Sequence, residues 1–223
     1  KSFTAVFEQI FALTTSVSPN GAGTVAAEPA SEDGYYVSGT SATLTATPTD
    51  TASLHYRFDG WTVDGNQQPG ANPSISVTMD AAHSVLARFV QQVQVSTVAT
   101  GGSITATPSS ASGRYDLGTS VSFRAQFDPG YRFAGWRVNN VDRGTTNPIT
   151  LPLTADTTVQ AIFYQRVTLE MRSALPQSSA GTTTPPAGNS TFDLGTRVPL
   201  VASRCRLALR SLDRRLLLRR SPA

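Results

Sequence analysis

The chain has 223 residues, 15% charged side chains and one cysteine, which suits one large domain or two or three small ones and excludes a disulfide framework or a zinc site. Its net charge of +3 is uneven: residues 204–223 hold seven Arg and one Asp, leaving 11 basic against 14 acidic side chains in residues 1–203. Such a body lacks the basic face that nucleic-acid binding needs, and no apolar run reaches membrane-spanning length. No stretch has the layout of a secretory signal, and the chain reads as opening inside a repeat.

In chain order, the first segment is KSFTAVF, where Phe3, Ala5 and Phe7 alternate. The same apolar–Ala–Phe alternation recurs as Val85, Ala87, Phe89 and as Val159, Ala161, Phe163. Period two marks a strand with one buried face, so residues 1–9 read as the last strand of a preceding repeat. Next, GYYVSGTSATLTA (34–46) lines up with GRYDLGTSVSFRA (113–125) and with NSTFDLGTRVPLVA (189–202). Each has an aromatic (Tyr36, Tyr115, Phe192), then a Gly three residues on (Gly39, Gly118, Gly195), expected at positive φ. Alternating apolar positions follow: Ala42, Leu44, Ala46; Val121, Phe123, Ala125; Val198, Leu200, Ala202.

Then comes an aromatic heptapeptide, HYRFDGW at 55–61 and GYRFAGW at 130–136. Tyr and Phe alternate with Arg, so the aromatics share a face and the Arg is expected to face water. Unit one spends four more residues than unit two between its last alternating Ala and its Trp, which predicts a longer loop. An Asn-Pro turn then leads to Ile75, Val77, Met79 in one copy and Ile149, Leu151, Leu153 in the other.

This order gives a last strand of a preceding repeat (1–9), repeat unit 1 (10–91), repeat unit 2 (92–165) and a truncated unit 3 (166–203), with five or six short strands per unit. Gln91-Gln92 and Gln165-Arg166 are the joints. The fold expected is all-β: tandem β-grasp-like or sandwich-like units of about 75 residues, stacked as a semi-rigid rod. A domain that small, without metal or disulfide, needs a large plug for its core. Trp61, Tyr56, Phe58 and Phe89 are the candidates in unit 1, and Trp136, Tyr131, Phe133 and Phe163 in unit 2. The rival reading is a sugar-stacking platform, which needs exposed coplanar rings.

Residues 204–223 break the pattern. They admit two readings: a basic amphipathic helix, with Leu209, Leu212 and Leu216 beside Arg206, Arg210 and Arg214, or an out-of-frame stretch following a truncated repeat.

The Gly-Tyr-x-Phe-x-Gly-Trp and Val-x-Ala-x-Phe elements, at this spacing, resemble the divergent internalin B-repeat family of bacterial surface and secreted proteins. The resemblance covers nearly all of 1–202, with two departures: His55 stands where the motif has Gly, and unit 3 never reaches its Trp. It implies small, mostly β domains, in tandem within exported proteins, that space, adhere or contact partners and carry no catalytic motif. The function expected is thus a non-catalytic spacer, stalk or adhesin segment, extracellular or on the cell surface, needing no cofactor. Its partners would be a protein or glycan surface and the neighbouring repeats. The alternative is a carbohydrate-binding accessory module of a secreted hydrolase.

The residues offer little chemistry. His55 and His83 are the only histidines, lie in different strands with no nucleophile motif, and are expected at the surface. The Asp residues mostly adjoin Gly, Thr or Pro, which is turn chemistry; a loop calcium site stays open, without the spacing of a known calcium loop. Glu32 and Asp33 point apart in an extended chain, a poor acid–base couple.

Overall fold

A computed structural model describes residues 3–172 and 182–203, and all of its regular structure is β. The first core is built by β1 (Ile10–Ser18), β2 (Gly23–Glu28), β3 (Tyr35–Val37), β4 (Ser41–Pro48), β5 (His55–Val63), β6 (Asn66–Gln67), β7 (Ser74–Thr78) and the front of β8 (His83–Ala99). The second uses the back of β8 with β9 (Gly102–Thr107), β10 (Arg114–Asp116), β11 (Ser120–Phe127), β12 (Tyr131–Val138), β13 (Val141–Asp142), β14 (Ile149–Pro152) and the front of β15 (Thr157–Met171). Then follow β16 (Thr182–Thr184), β17 (Gly188–Asp193) and β18 (Val201–Ser203).

Each unit is a two-layer sandwich, the second of the two expected forms. In unit 1 a mixed sheet ordered β6-β5-β8-β1-β3 faces the antiparallel sheet β2-β4-β7. In unit 2 the same layers are β13-β12-β15-β8-β10 and β14-β11-β9. Alternation explains the facing: in β4 the buried residues are Ala42, Leu44 and Ala46, and in β11 Val121, Phe123 and Ala125, with Thr, Ser and Arg between them. Two separate clusters result, one within residues 13–89 and one within 93–163. Gly39, Gly118 and Gly195 sit at φ of +84°, +87° and +87° with open space where a Cβ would be, so backbone conformation alone selects glycine there.

One feature differs from the sequence reading. Each unit has more strand pieces than five or six, because the pieces after each Trp and after each cluster of turn residues also pair. At the joints the units are directly continuous: β8 runs unbroken through Gln91-Gln92 and β15 through Gln165-Arg166. The first joint lies in mid-strand because alternation continues across it, with Phe89, Val93 and Val95 buried.

Residues 3–9, which read as a closing strand, have no strand partner among the described residues, and Phe3, Val6 and Phe7 are exposed. Beyond the second joint, β17 pairs with β15 from Arg166 to Met171 and β16 with β18. Leu200, on pattern for a buried position, is exposed there, as are Leu194 and Val201. The tail 204–223 lies outside the described residues.

Candidate functional site

The side chains that tie one core to the next converge on the outer face of the sheet at each joint. Arg57 on β5 stands opposite Val90 of β8, and Asp116 on β10 stands opposite Gln92. Val90 and Gln92 alternate with the buried Phe89 and Val93, so both side chains project away from the core. The Arg57 fork crosses β8 to grip Asp116: Nε donates to Oδ1 at 2.8 Å and Nη2 to Oδ2 at 2.6 Å. Gln92 donates a third bond to Oδ1 at 3.2 Å. Asp59 holds the remaining arm of the guanidinium at 3.1 Å. A bidentate fork adds directional restraint to charge attraction. The Arg57 bonds hold the Asp116 carboxyl below its ordinary value of 3.8, against a smaller upward push from burial.

The second joint repeats this. Arg132 on β12 reaches over β15 to Asp193 on β17, with Nε donating at 2.6 Å and Nη2 completing the fork. Its guanidinium lies 5.0 Å from the Tyr164 ring centre, a cation–π contact on the shared strand. A backbone bond also recurs: Gln91 O accepts from Leu117 N at 2.9 Å, and Gln165 O from Leu194 N at 2.7 Å. The longer loop of unit 1 supplies one more link, Asp50 Oδ2 accepting from Arg114 Nη1 at 2.6 Å. Thus Arg57 and Arg132, expected to face water, do lie on the outer face with part of each side chain exposed, and each also reaches across to the next unit. Alternation places them correctly on the outer face; it cannot show that a neighbouring unit passes beneath.

The aromatic residues singled out in the sequence lie beneath these joints. Trp61 and Trp136 are 3% and 1% exposed, and Phe89 is buried. Phe58 packs on Trp61 at 5.2 Å and on Phe89 at 5.6 Å; Phe133 packs on Trp136 at 5.3 Å and on Phe163 at 5.9 Å. These are tilted or edge-on contacts of the favoured kind. Tyr56, Phe58, Phe133 and Phe163 are partly buried against their clusters, whereas Tyr131 lies over Gly101 outside its cluster. A bulge between Phe58 and Gly60, and between Phe133 and Gly135, buries Gly and Trp in succession. Each indole N–H donates to a loop carbonyl at 3.1 Å, of Asn72 or of Thr146. Tyr36 and Tyr115, noted only as recurring aromatics, are also core: both are buried and donate their hydroxyls to the carbonyls of Pro29 and Pro108.

The histidines require a correction. Their side chains are only 13% and 15% exposed, and both face carboxylates. Strand alternation could not reveal this, because the carboxylates come from the turns that precede each strand and, for Asp64, from a turn 19 residues away. His55 Nδ1 lies 3.8 Å from Asp50, too far for a hydrogen bond. His83 bonds Asp64 at 2.7 Å and Asp80 at 3.2 Å, while Asp64 also accepts from Ser84 N at 2.8 Å. In unit 2 the same turn uses neutral groups: Asn139 accepts from Thr158 N at 2.8 Å. Among the described residues, no three His, Cys, Asp or Glu are placed to hold a metal ion.

Asp64 holds His83 above its ordinary pKa of 6.5, and the Ser84 amide and His83 hold Asp64 below 3.8. The raised His83 value contributes stability that is fully present below about 6.5 and lost as pH rises through its folded pKa; the lowered Asp64 value contributes above about 3.8 and is lost as pH falls through its folded pKa. Unit 1 should therefore melt at a lower temperature at pH 8 than at pH 5.5. His83→Thr, the residue at this place in unit 2, should remove that difference. Hydrogen exchange on unit 1 peptides at the two pH values measures it; an equal difference in the variant would refute the assignment.

Two sandwiches that share a strand, plug themselves with one indole each and clamp their neighbours define a tandem β-repeat protein. The model of the divergent InlB B-repeat domain matches residues 13–93 and 92–166, and the chain belongs to that family. No curated protein and no solved structure matches it. Among the described residues, no helix is long and apolar enough to cross a membrane.

Proposed function

We propose that this chain is a non-catalytic spacer segment, part of a stalk or adhesin of an exported bacterial protein at the cell surface, whose work is to hold other parts at a set distance and angle. The observation that carries the reading is the repeated joint: an unbroken strand crossed by a bidentate Arg–Asp fork, in the same place twice. A linker meant to flex would carry Gly, Ser or Pro there instead. Burial of both indoles favours this reading over a sugar-stacking module.

The unit layout belongs to the same proposal: 1–9 closing a preceding repeat, 10–91 and 92–165 complete, 166–203 opening a third. Gln9 O accepts from Ser38 N at 2.8 Å, the bond that Gln91 and Gln165 make at the two joints, which supports reading Gln9 as a joint as well. The partner it holds out toward is a protein or glycan surface.

The test targets the clamp. Spin labels at Asn66 and Ser109, with Cys205→Ser, should give a narrow distance distribution between the units. Arg57→Ala with Asp116→Ala should broaden it while costing only about 1 kcal/mol of folding stability, since both partners are partly exposed. A broad distribution in the parent chain would overturn the spacer reading.

A further inference from the structure

We propose that each unit is a force-bearing clamp, in which tension along the chain loads a pair of parallel strands in shear. The proposal rests on the spacer reading only for the presence of tension; the clamp itself follows from topology. In unit 1 the chain enters on β1 and leaves on β8, and these are parallel neighbours, registered from Leu13↔His83 to Ser18↔Arg88. In unit 2 it enters on β8 and leaves on β15, parallel from Val95↔Thr157 to Ala99↔Ala161. Tension pulls the first strand of each pair backwards along its own axis and the second forwards. The two pulls oppose each other along the strands, while the ladder hydrogen bonds run across them. Sliding must strain all the bonds of the ladder together. An antiparallel entry and exit pair would instead open from one end, bond by bond.

Three further features fit a load path. The clamp strands carry core residues: Leu13, Val85 and Ala87 are buried in unit 1, Val95, Val159 and Ala161 in unit 2. Sliding therefore drags apolar surface past its packing partners as well as breaking bonds. The second strand of each clamp is braced on its other edge by a long antiparallel partner, β5 on β8 and β12 on β15. Finally, β8 passes force from one clamp to the next as continuous strand, with no slack loop between them. The opposing sheets β2-β4-β7 and β14-β11-β9 hang between the clamp strands, outside this path.

Single-molecule force spectroscopy tests this by direction. The full chain, held at its two ends between reference domains, should show a distinct rupture for each unit. Giving way between Leu13 and Arg88 should release roughly 250 Å of chain, from about 3.3–3.6 Å per residue. In a second arm, Asn20→Cys and Arg88→Cys with Cys205→Ser place both handles at the same end of the parallel pair, so that unit 1 is peeled. The peeling force should be several-fold below the end-to-end force at equal pulling speed, with unchanged circular dichroism and melting. Equal forces in the two directions, or no unit rupture in the end-to-end pull, would overturn the clamp. The clamp can fail while the spin-label distances stay narrow, and the joints can prove loose while the clamps hold, so this proposal and the spacer reading fall separately.

Discussion

Trp136→Ala should cost unit 2 about 3–5 kcal/mol and unfold it under conditions where unit 1 still holds. The indole is 1% exposed, with Phe133 5.3 Å away and Phe133 in turn against Phe163, so its removal leaves a cavity that neighbouring strands cannot fill by small shifts. Its N–H bond to Thr146 O is lost as well. A unit of about 75 residues holds roughly 4–11 kcal/mol in all, so the loss takes a large share. Trp136→Phe should cost less, because a ring remains and only the outer part of the plug and its donor are missing. Unit 1 should survive, because its cluster ends at Phe89 and the second begins at Val93. What unit 1 gives up is the back of β8 and the links across the joint, the Arg57–Asp116 fork, the Asp50–Arg114 pair and the Gln91–Leu117 bond, which is the nearest-neighbour coupling of a repeat array. Urea unfolding followed by hydrogen exchange should resolve two transitions, with the unit 2 midpoint moved and the unit 1 midpoint nearly fixed. Simultaneous loss of both units, or a cost under about 1 kcal/mol, would contradict this account.

What the sequence made legible is what period two and self-alignment encode. The faces of β4 and β11 could be read residue by residue from Ser41 to Thr47 and from Ser120 to Gln126, because every second position there is buried; the pattern stops at the strand ends, where Phe127, on the buried phase, is exposed. The repeat of the Gly-Trp strand located one indole per unit. Contacts between units were out of reach, since they join residues 59 and 61 positions apart, and alternation says only that an Arg points away from its own core. One signal was present but unused: Arg57 and Arg132 recur, and so do Asp116 and Asp193 one residue after an aromatic, each Asp in the unit that follows its Arg. Unit 1 has Val37 at that place, registered opposite Ile10, where Asp116 faces Gln92 and Asp193 faces Arg166. The choice between grasp and sandwich also stayed open, because the feature that decides it, the layering of β2-β4-β7 over the mixed sheet, depends on how hairpins fold back.

Gly102→Ala should destabilise unit 2 by about 1–3 kcal/mol or more, although adding a methyl to an exchangeable glycine often stabilises by roughly 0.4–1 kcal/mol. The sign is set by space. A Cβ on Gly102 would sit 2.4 Å from Gln126 O and 2.6 Å from Phe163 Cζ. The carbonyl belongs to the paired strand, with Gly102 registered against Phe127, so it cannot retreat without opening the β9–β11 ladder. The ring is the Phe133 partner, so moving it loosens the plug. Gly23 meets the same obstacles in unit 1, with Phe89 Cζ at 2.4 Å and Thr47 O at 2.6 Å, so the close approach is part of the repeat and not an accident of one copy. Gly21, at φ +79° with nothing within 4 Å, isolates the backbone contribution: its Ala variant should cost about 1 kcal/mol. Phe163→Ala should cost about 3–5 kcal/mol alone. Combined with Gly102→Ala it should cost less than the sum, since part of the clash leaves with the ring. Full additivity in that double-mutant cycle, measured by urea denaturation, would mean that Gly102 and Phe163 are not in contact and that the glycine serves the ladder alone.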